Sequence, residues 1–79
     1  MFWVYVLKSR RTGRRYVGCT ADLDWRIEEH NRGQTRATRG GAPWDMVHKE
    51  CFVSRGEALR REGFLKSGRG RRELDGIVG

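Results

Sequence analysis

Apolar side chains fall along this chain in two kinds of pattern. From Phe2 to Lys8 and from Arg14 to Cys19 they are dense, aromatic and β-branched, and they flank the polar stretch SRRTGR. Such runs around a glycine predict a β-hairpin, with Gly13 free to take a positive φ. Pairing Ser9 with Arg14 sets Leu7 opposite Tyr16 and Tyr5 opposite Gly18, so both tyrosines emerge on one face of the sheet, two rows apart. The pattern then changes period. Leu23 and Ile27 recur at helical spacing behind Thr20, a candidate N-cap, and Asp22 and Asp24 complement the dipole of the first turn. This helix is expected to end near Gly33.

The stretch GQTRATRGGAP, Gly33 to Pro43, has no periodicity and reads as a long polar loop. A third strand follows from Trp44 to Val53, with Trp44, Met46, Val47, Phe52 and Val53 part-buried around a polar middle, His48 to Glu50. Ser54 to Glu57 spell a capping box that starts a second helix, whose Ala58, Leu59 and Leu65 face the core. Gly68 and Gly70 interrupt that helix, and RRELDGIVG predicts a short terminal helix or a frayed tail. The fold class is therefore α/β in the α+β sense: a small three-stranded antiparallel sheet flanked by helices. One domain accounts for residues 1–79, with a core over about 2–67 and a basic C-terminal tail or short helix over 68–79.

Composition narrows the partners. Hydrophobic residues make up 37% of the 79, enough for a packed core, which argues against disorder. Lys and Arg number 17 against 10 Asp and Glu, for a net charge of +7. Most of those cations are Arg, whose fork suits phosphate oxygens, so a polyanion, nucleic acid first, is the expected partner. A genome rich in G and C enriches Arg and Gly without any function, and that explanation competes on composition alone. The N-terminal MFWVYVLK has no basic leader region and is too short an apolar run for a membrane span. We therefore expect a cytoplasmic protein with reduced thiols and no membrane partner. Cys19, His30, His48 and Cys51 lack any spacing typical of a zinc site.

Three features stand out chemically. Tyr5 and Tyr16 share a sheet face, where they either pack as ordinary strand formers or present two hydroxyls. Arg26 and His30, four apart on the first helix, flank the Leu23–Ile27 stripe; Arg26 either snorkels there or serves a site. Glu62 lies about 40° from Ala58 on the second helix, inside the apolar arc. A carboxylate there must be protonated, paired with a cation such as Arg26, or bound to a metal.

Together these residues resemble the GIY-YIG nuclease domain, in particular its small stand-alone UPF0213-like members. Val4 to Val6 (VYV) stand for the first half of the motif and Tyr16 to Gly18 (YVG) for the second. The likeness continues through DLDWRIEEHNRG, the loop ending TRGGAPW, and EALRREGFLK. The resemblance implies an endonuclease that hydrolyses DNA phosphodiesters with one divalent ion, Mg²⁺ or alternatively Mn²⁺, held at Glu62. It further implies Tyr16 as general base, Tyr5 positioning water or phosphate, Arg26 neutralising the scissile phosphate, and His30 orienting or relaying protons. Since a tyrosine with an ordinary pKa of about 10 is a weak base at neutral pH, nearby positive charge has to stabilise its phenolate. In a chain this small no separate recognition domain is expected. Arg32, Arg36, Arg39, Lys66, Arg69, Arg71 and Arg72 are expected to grip phosphates without reading bases, and the substrate to be branched, damaged or single-stranded DNA, or to be chosen by a protein partner. The competing functions are a nucleic-acid-binding module without turnover and, more distantly, an RNA-binding accessory factor.

Overall fold

The computed structural model describes residues 1–78. Strands β1 (Phe2–Ser9) and β2 (Arg15–Thr20) lead into helix α1 (Leu23–Asn31). A 3₁₀ turn (Arg36–Thr38), strand β3 (Trp44–Phe52) and helices α2 (Arg55–Lys66) and α3 (Gly68–Val78) follow. The sheet is antiparallel in the order β2-β1-β3, so β1 is central and β2 is an edge. Gly13 takes φ +76° in the hairpin turn, Ser9 accepts from it, and the pairing is Leu7 with Tyr16 and Tyr5 with Gly18, the register expected from the sequence.

Alternation along β1 gives the sheet two buried faces. Val4 and Val6, with Val17, pack against Ala58, Leu65 and Leu74 of α2 and α3. Tyr5 and Leu7, with Trp44, pack beneath α1, where Tyr16, Leu23 and Ile27 join them. The tyrosines therefore belong to the α1 face and Glu62 comes from a helix on the other. Leu74 is 1% exposed, so the core continues beyond residue 67 and the C-terminal segment is an eleven-residue packed helix, longer than the tail or short helix anticipated.

Other local expectations shift for identifiable reasons. Asp22, and not Thr20, caps α1: its Oδ1 accepts from Trp25 N at 3.2 Å, while Thr20 Oγ1 accepts from Asp22 N at 3.1 Å and sets up the turn before it. A bulge in the β1–β3 pairing at Val6/Leu7 pairs Val6 with His48 and Leu7 with Met46, leaving Val47 unpaired. His48 and Glu50 consequently lie across from Val6 and Val4, where Glu50 takes two hydrogen bonds from Arg61 of α2, and Met46, Val47 and Val53 are exposed. Leu59 is exposed as well, because the buried arc of α2 centres on Ala58 and Leu65 and ends short of it.

Candidate active site

The Tyr5 side chain crosses from the central strand onto the backbone of the edge strand. It can do so because its cross-strand neighbour is Gly18: a Cβ there would stand 2.5 Å from Tyr5 Cζ and 3.0 Å from Cε1, and closer still to Oη. Fully buried, Tyr5 Oη lies 2.8 Å from His30 Nε2, and His30 Nδ1 lies 2.7 Å from Thr38 Oγ1. Tyr16, on the same face, completes a cluster of rings, with centroids 6.4 Å from Tyr5 and 4.9 Å from His30. The tyrosines thus pack, Tyr5 with its hydroxyl bound to His30 and Tyr16 only partly buried.

Burial, reinforced by Tyr16 and opposed by Arg26, pushes the Tyr5 phenol up to about 12. Burial also holds the His30 imidazolium below the ordinary histidine range, and the Arg26 charge works in the same direction. Arg26 itself is held above its ordinary value by Glu29, whose Oε1 is 2.9 Å from Nη1, and then by the Tyr5 hydroxyl. Polar residues of a surface helix ordinarily face water, as the Leu23–Ile27 spacing would have Glu29 and Asn31 do. Instead Glu29 steadies Arg26, and Asn31 clamps the start of β3, its Oδ1 accepting from Trp44 N at 2.6 Å and its Nδ2 donating to Trp44 O at 3.3 Å.

Glu62 is mostly buried, with 18% of its side chain exposed, but its partner is Lys66 one turn on, Nζ to Oε2 3.0 Å, and not Arg26. The sheet separates the helices that carry Glu62 and Arg26, whereas the i,i+4 lysine shares the carboxylate's side of α2. Lys66 reaches around the β2 edge, with Nζ 6.0 Å from the Tyr16 ring centroid, so one cation links the carboxylate to the tyrosine face. Glu62 also borders a pocket of about 260 Å³ with Phe2, Cys19 and Arg55.

Two larger grooves meet at Tyr16. One, of about 550 Å³, has Arg14, Arg15, Lys66 and Arg71 around a floor of Val17, Leu65 and Leu74. The other, of about 270 Å³, runs from Arg14, Arg15 and Thr12 past Ala37 to Gly40, Gly41 and Trp44. Of the residues expected to grip phosphate, Lys66 and Arg71 line a groove. Arg69 and Arg72 stand exposed on α3 outside it. Arg32 lies 3.5 Å from Glu28, Arg39 donates to Gly33 O at 3.1 Å, and Arg36 is exposed at the start of the 3₁₀ turn. Arg14 and Arg15 border both grooves and were not singled out from the sequence, although they immediately precede the YVG triplet. Thr38 was missed as well.

Comparison with known proteins agrees with this fold. The GIY-YIG catalytic domain family matches residues 1–74. A UPF0213 protein of Halobacterium salinarum is 42% identical over 67 residues, 84% of this chain and 86% of that protein. One of Haloquadratum walsbyi is 47% identical over 53 residues, 66% of this chain and 60% of that protein. The solution NMR structure of a UPF0213 protein from Bacillus halodurans superposes with a TM-score of 0.60 at 36% identity, covering 100% of this chain and 87% of that one.

Proposed function

The chain belongs to the GIY-YIG family, whose catalytic domains are of nuclease type, and on that premise we propose that it is a Mg²⁺-dependent endonuclease cutting DNA according to substrate structure. The observation that carries the reading is Tyr16, which lines both arginine-bearing grooves and packs against the buried rings of Tyr5 and His30. The two tyrosines differ in a way that suits different tasks. The Tyr5 hydroxyl is committed to His30 in a fully buried setting, which fits it to hold the neighbouring groups of the site, Arg26 and Tyr16, in place. Tyr16 is only partly buried, its hydroxyl has no hydrogen bond among the described residues, and a lysine ammonium stands over its ring, which fits it to take the proton of an attacking water. Arg26, part-exposed beside Tyr5, is placed to neutralise charge gathering on the phosphate.

Among the described residues no three of His, Cys, Asp and Glu converge, so an ion at Glu62 takes a single protein carboxylate. That donor set fits Mg²⁺, which keeps most of its octahedral shell as water and phosphate oxygen. Bound there, the ion supplies Lewis-acid stabilisation of charge on the phosphate oxygens. No helix among the described residues is long and apolar enough to cross a membrane. A second reading, a nucleic-acid-binding module without turnover, draws support from Lys66, which already neutralises Glu62. One experiment separates the two. The protein is incubated with single-stranded, duplex, flap and four-way DNA in Mg²⁺ or EDTA, beside Tyr16→Phe. Cleavage that needs Mg²⁺ and falls about 100-fold in the mutant, with binding retained, supports the nuclease. Binding without cleavage on every substrate supports the module.

A further inference from the structure

We propose that Thr38 is a positioning residue of this site: its hydroxyl holds His30 as the Nδ1–H tautomer, and through that ring holds the Tyr5 hydroxyl as a hydrogen-bond donor to His30. Tyr5 and His30 are 0% exposed and Thr38 is 1% exposed, so water does not compete for these contacts. The direction of the chain follows from its ends. Thr38 Oγ1 is 3.4 Å from Thr35 O, a carbonyl that only accepts and the one other partner of the hydroxyl among the described residues. With its proton turned that way, Thr38 accepts from His30 Nδ1 at 2.7 Å, which places the ring proton on Nδ1. At the other end, the Tyr5 hydroxyl has the Arg26 guanidinium beside it, a group that only donates. Among the described residues the acceptor within reach of the Tyr5 proton is His30 Nε2, at 2.8 Å. The same tautomer satisfies both ends, and no buried side-chain nitrogen or oxygen among the described residues lacks a partner. Burial and the Arg26 charge, which keep His30 neutral, agree with a ring whose Nε2 is a bare acceptor.

The consequence concerns where the Tyr5 proton points. With Nε2 accepting, the phenolic O–H turns inward and its oxygen lone pairs remain for donors of the site, Arg26 among them. If the ring proton moved to Nε2, the two donors would face each other and the Tyr5 proton would turn outward, toward the Arg26 guanidinium, itself a donor. Thr38 can exert this control because the Arg36–Thr38 turn is fixed from two sides: Thr38 N donates to Thr35 O at 3.1 Å, and Trp44 Nε1 donates to Thr38 O at 3.0 Å.

The role in catalysis rests on the nuclease reading, but the tautomer does not, so the two are tested separately. Long-range ¹H–¹⁵N correlation spectra of the histidine rings in the free protein report the tautomer directly. We expect the Nδ1–H pattern for His30 in wild type and in Thr38→Ser, and its loss in Thr38→Val, which keeps the shape and removes the hydroxyl. In cleavage, Thr38→Val should lose about 10-fold or more in kcat with KM little changed, and Thr38→Ser should restore it. An Nε2–H ring in wild type overturns the inference, as does a Thr38→Val protein that keeps the Nδ1–H pattern. A Thr38→Val protein that loses the tautomer yet keeps kcat overturns the positioning role. Should Thr38→Val not fold, the wild-type spectrum still decides the tautomer, and Thr38→Cys, whose thiol is a weak acceptor, takes its place in the kinetic arm with the same expected loss. Should wild type show the Nδ1–H pattern and cut no substrate, the tautomer stands, while the nuclease reading and the positioning role that rests on it both fail.

Discussion

Replacing Gly18 by alanine adds one methyl group where the Tyr5 ring already lies. The new carbon would sit 2.5 Å from Tyr5 Cζ, and ordinary carbon contacts begin near 3.4 Å, so the ring must retreat by roughly 1 Å. It has little freedom to do so, since Tyr5 is fully buried and tethered to His30 at 2.8 Å. Overpacking of this kind costs about 1–3 kcal/mol, and loosening the buried Tyr5–His30 hydrogen bond adds about 1 kcal/mol. Against this, alanine restricts the unfolded chain, a gain of about 0.4–1 kcal/mol that Gly18 can realise because its φ is not positive. The net expectation is a loss of about 1–3.5 kcal/mol, read from urea unfolding followed by circular dichroism. Gly63→Ala is the control: nothing lies within 4 Å of a Cβ in that part of α2, and the substitution should stabilise by up to about 1 kcal/mol. A Gly18→Ala protein as stable as wild type would refute the claim that the YVG glycine exists to admit the first tyrosine.

Glu62→Gln should unfold within about 0.5 kcal/mol of wild type, because it removes an i,i+4 pair with a half-exposed lysine, while Mg²⁺-dependent cleavage disappears; a mutant that melts much earlier yet still cuts would move the metal elsewhere. Affinity for duplex DNA should fall steeply with salt, and Arg14→Ala and Arg71→Ala should each reduce the log–log slope by about 1 without changing sequence preference; a flat salt response would remove the phosphate-grip argument. Tyr5, raised to about 12 in the fold from about 10 in the unfolded chain, contributes stability that is complete below pH 10 and is lost as pH climbs from 10 through 12. The stability difference between wild type and Tyr5→Phe should therefore shrink by about 2–3 kcal/mol across that window, and a constant difference would contradict the burial argument.

What sequence could and could not disclose follows from the range of each interaction. The hairpin register and the start of α2 are local: Ser9 and Arg14 close one turn, and Ser54 Oγ accepts from Glu57 N at 3.2 Å as its S-x-x-E spacing implies. The part-burial of Glu62 was legible from angular spacing on one helix, since a helix has only one buried arc. Its partner was not, because choosing between Arg26 and Lys66 requires knowing that α1 and α2 cover opposite faces of the sheet. The Val47 bulge depends on pairing between distant segments, and Thr38 belongs to an aperiodic loop whose meaning comes only from His30 meeting it. The five residues Tyr5, Tyr16, Arg26, His30 and Glu62 were named from motif and spacing, and four of them gather on one face. The fifth is connected to them by Lys66, which had been named only as a phosphate contact.

The two grooves that share Arg14, Arg15 and Tyr16 give the place of reaction a particular character. Tyr16 stands on the rim of the sheet, with a trough departing on either hand, so the path of a bound polymer continues in both directions. Nothing in that layout asks for a chain end. A nuclease acting at Tyr16, as proposed above, would engage the middle of a strand as readily as its terminus, and a covalently closed circle, which offers no terminus at all, would be as accessible to it as a linear fragment.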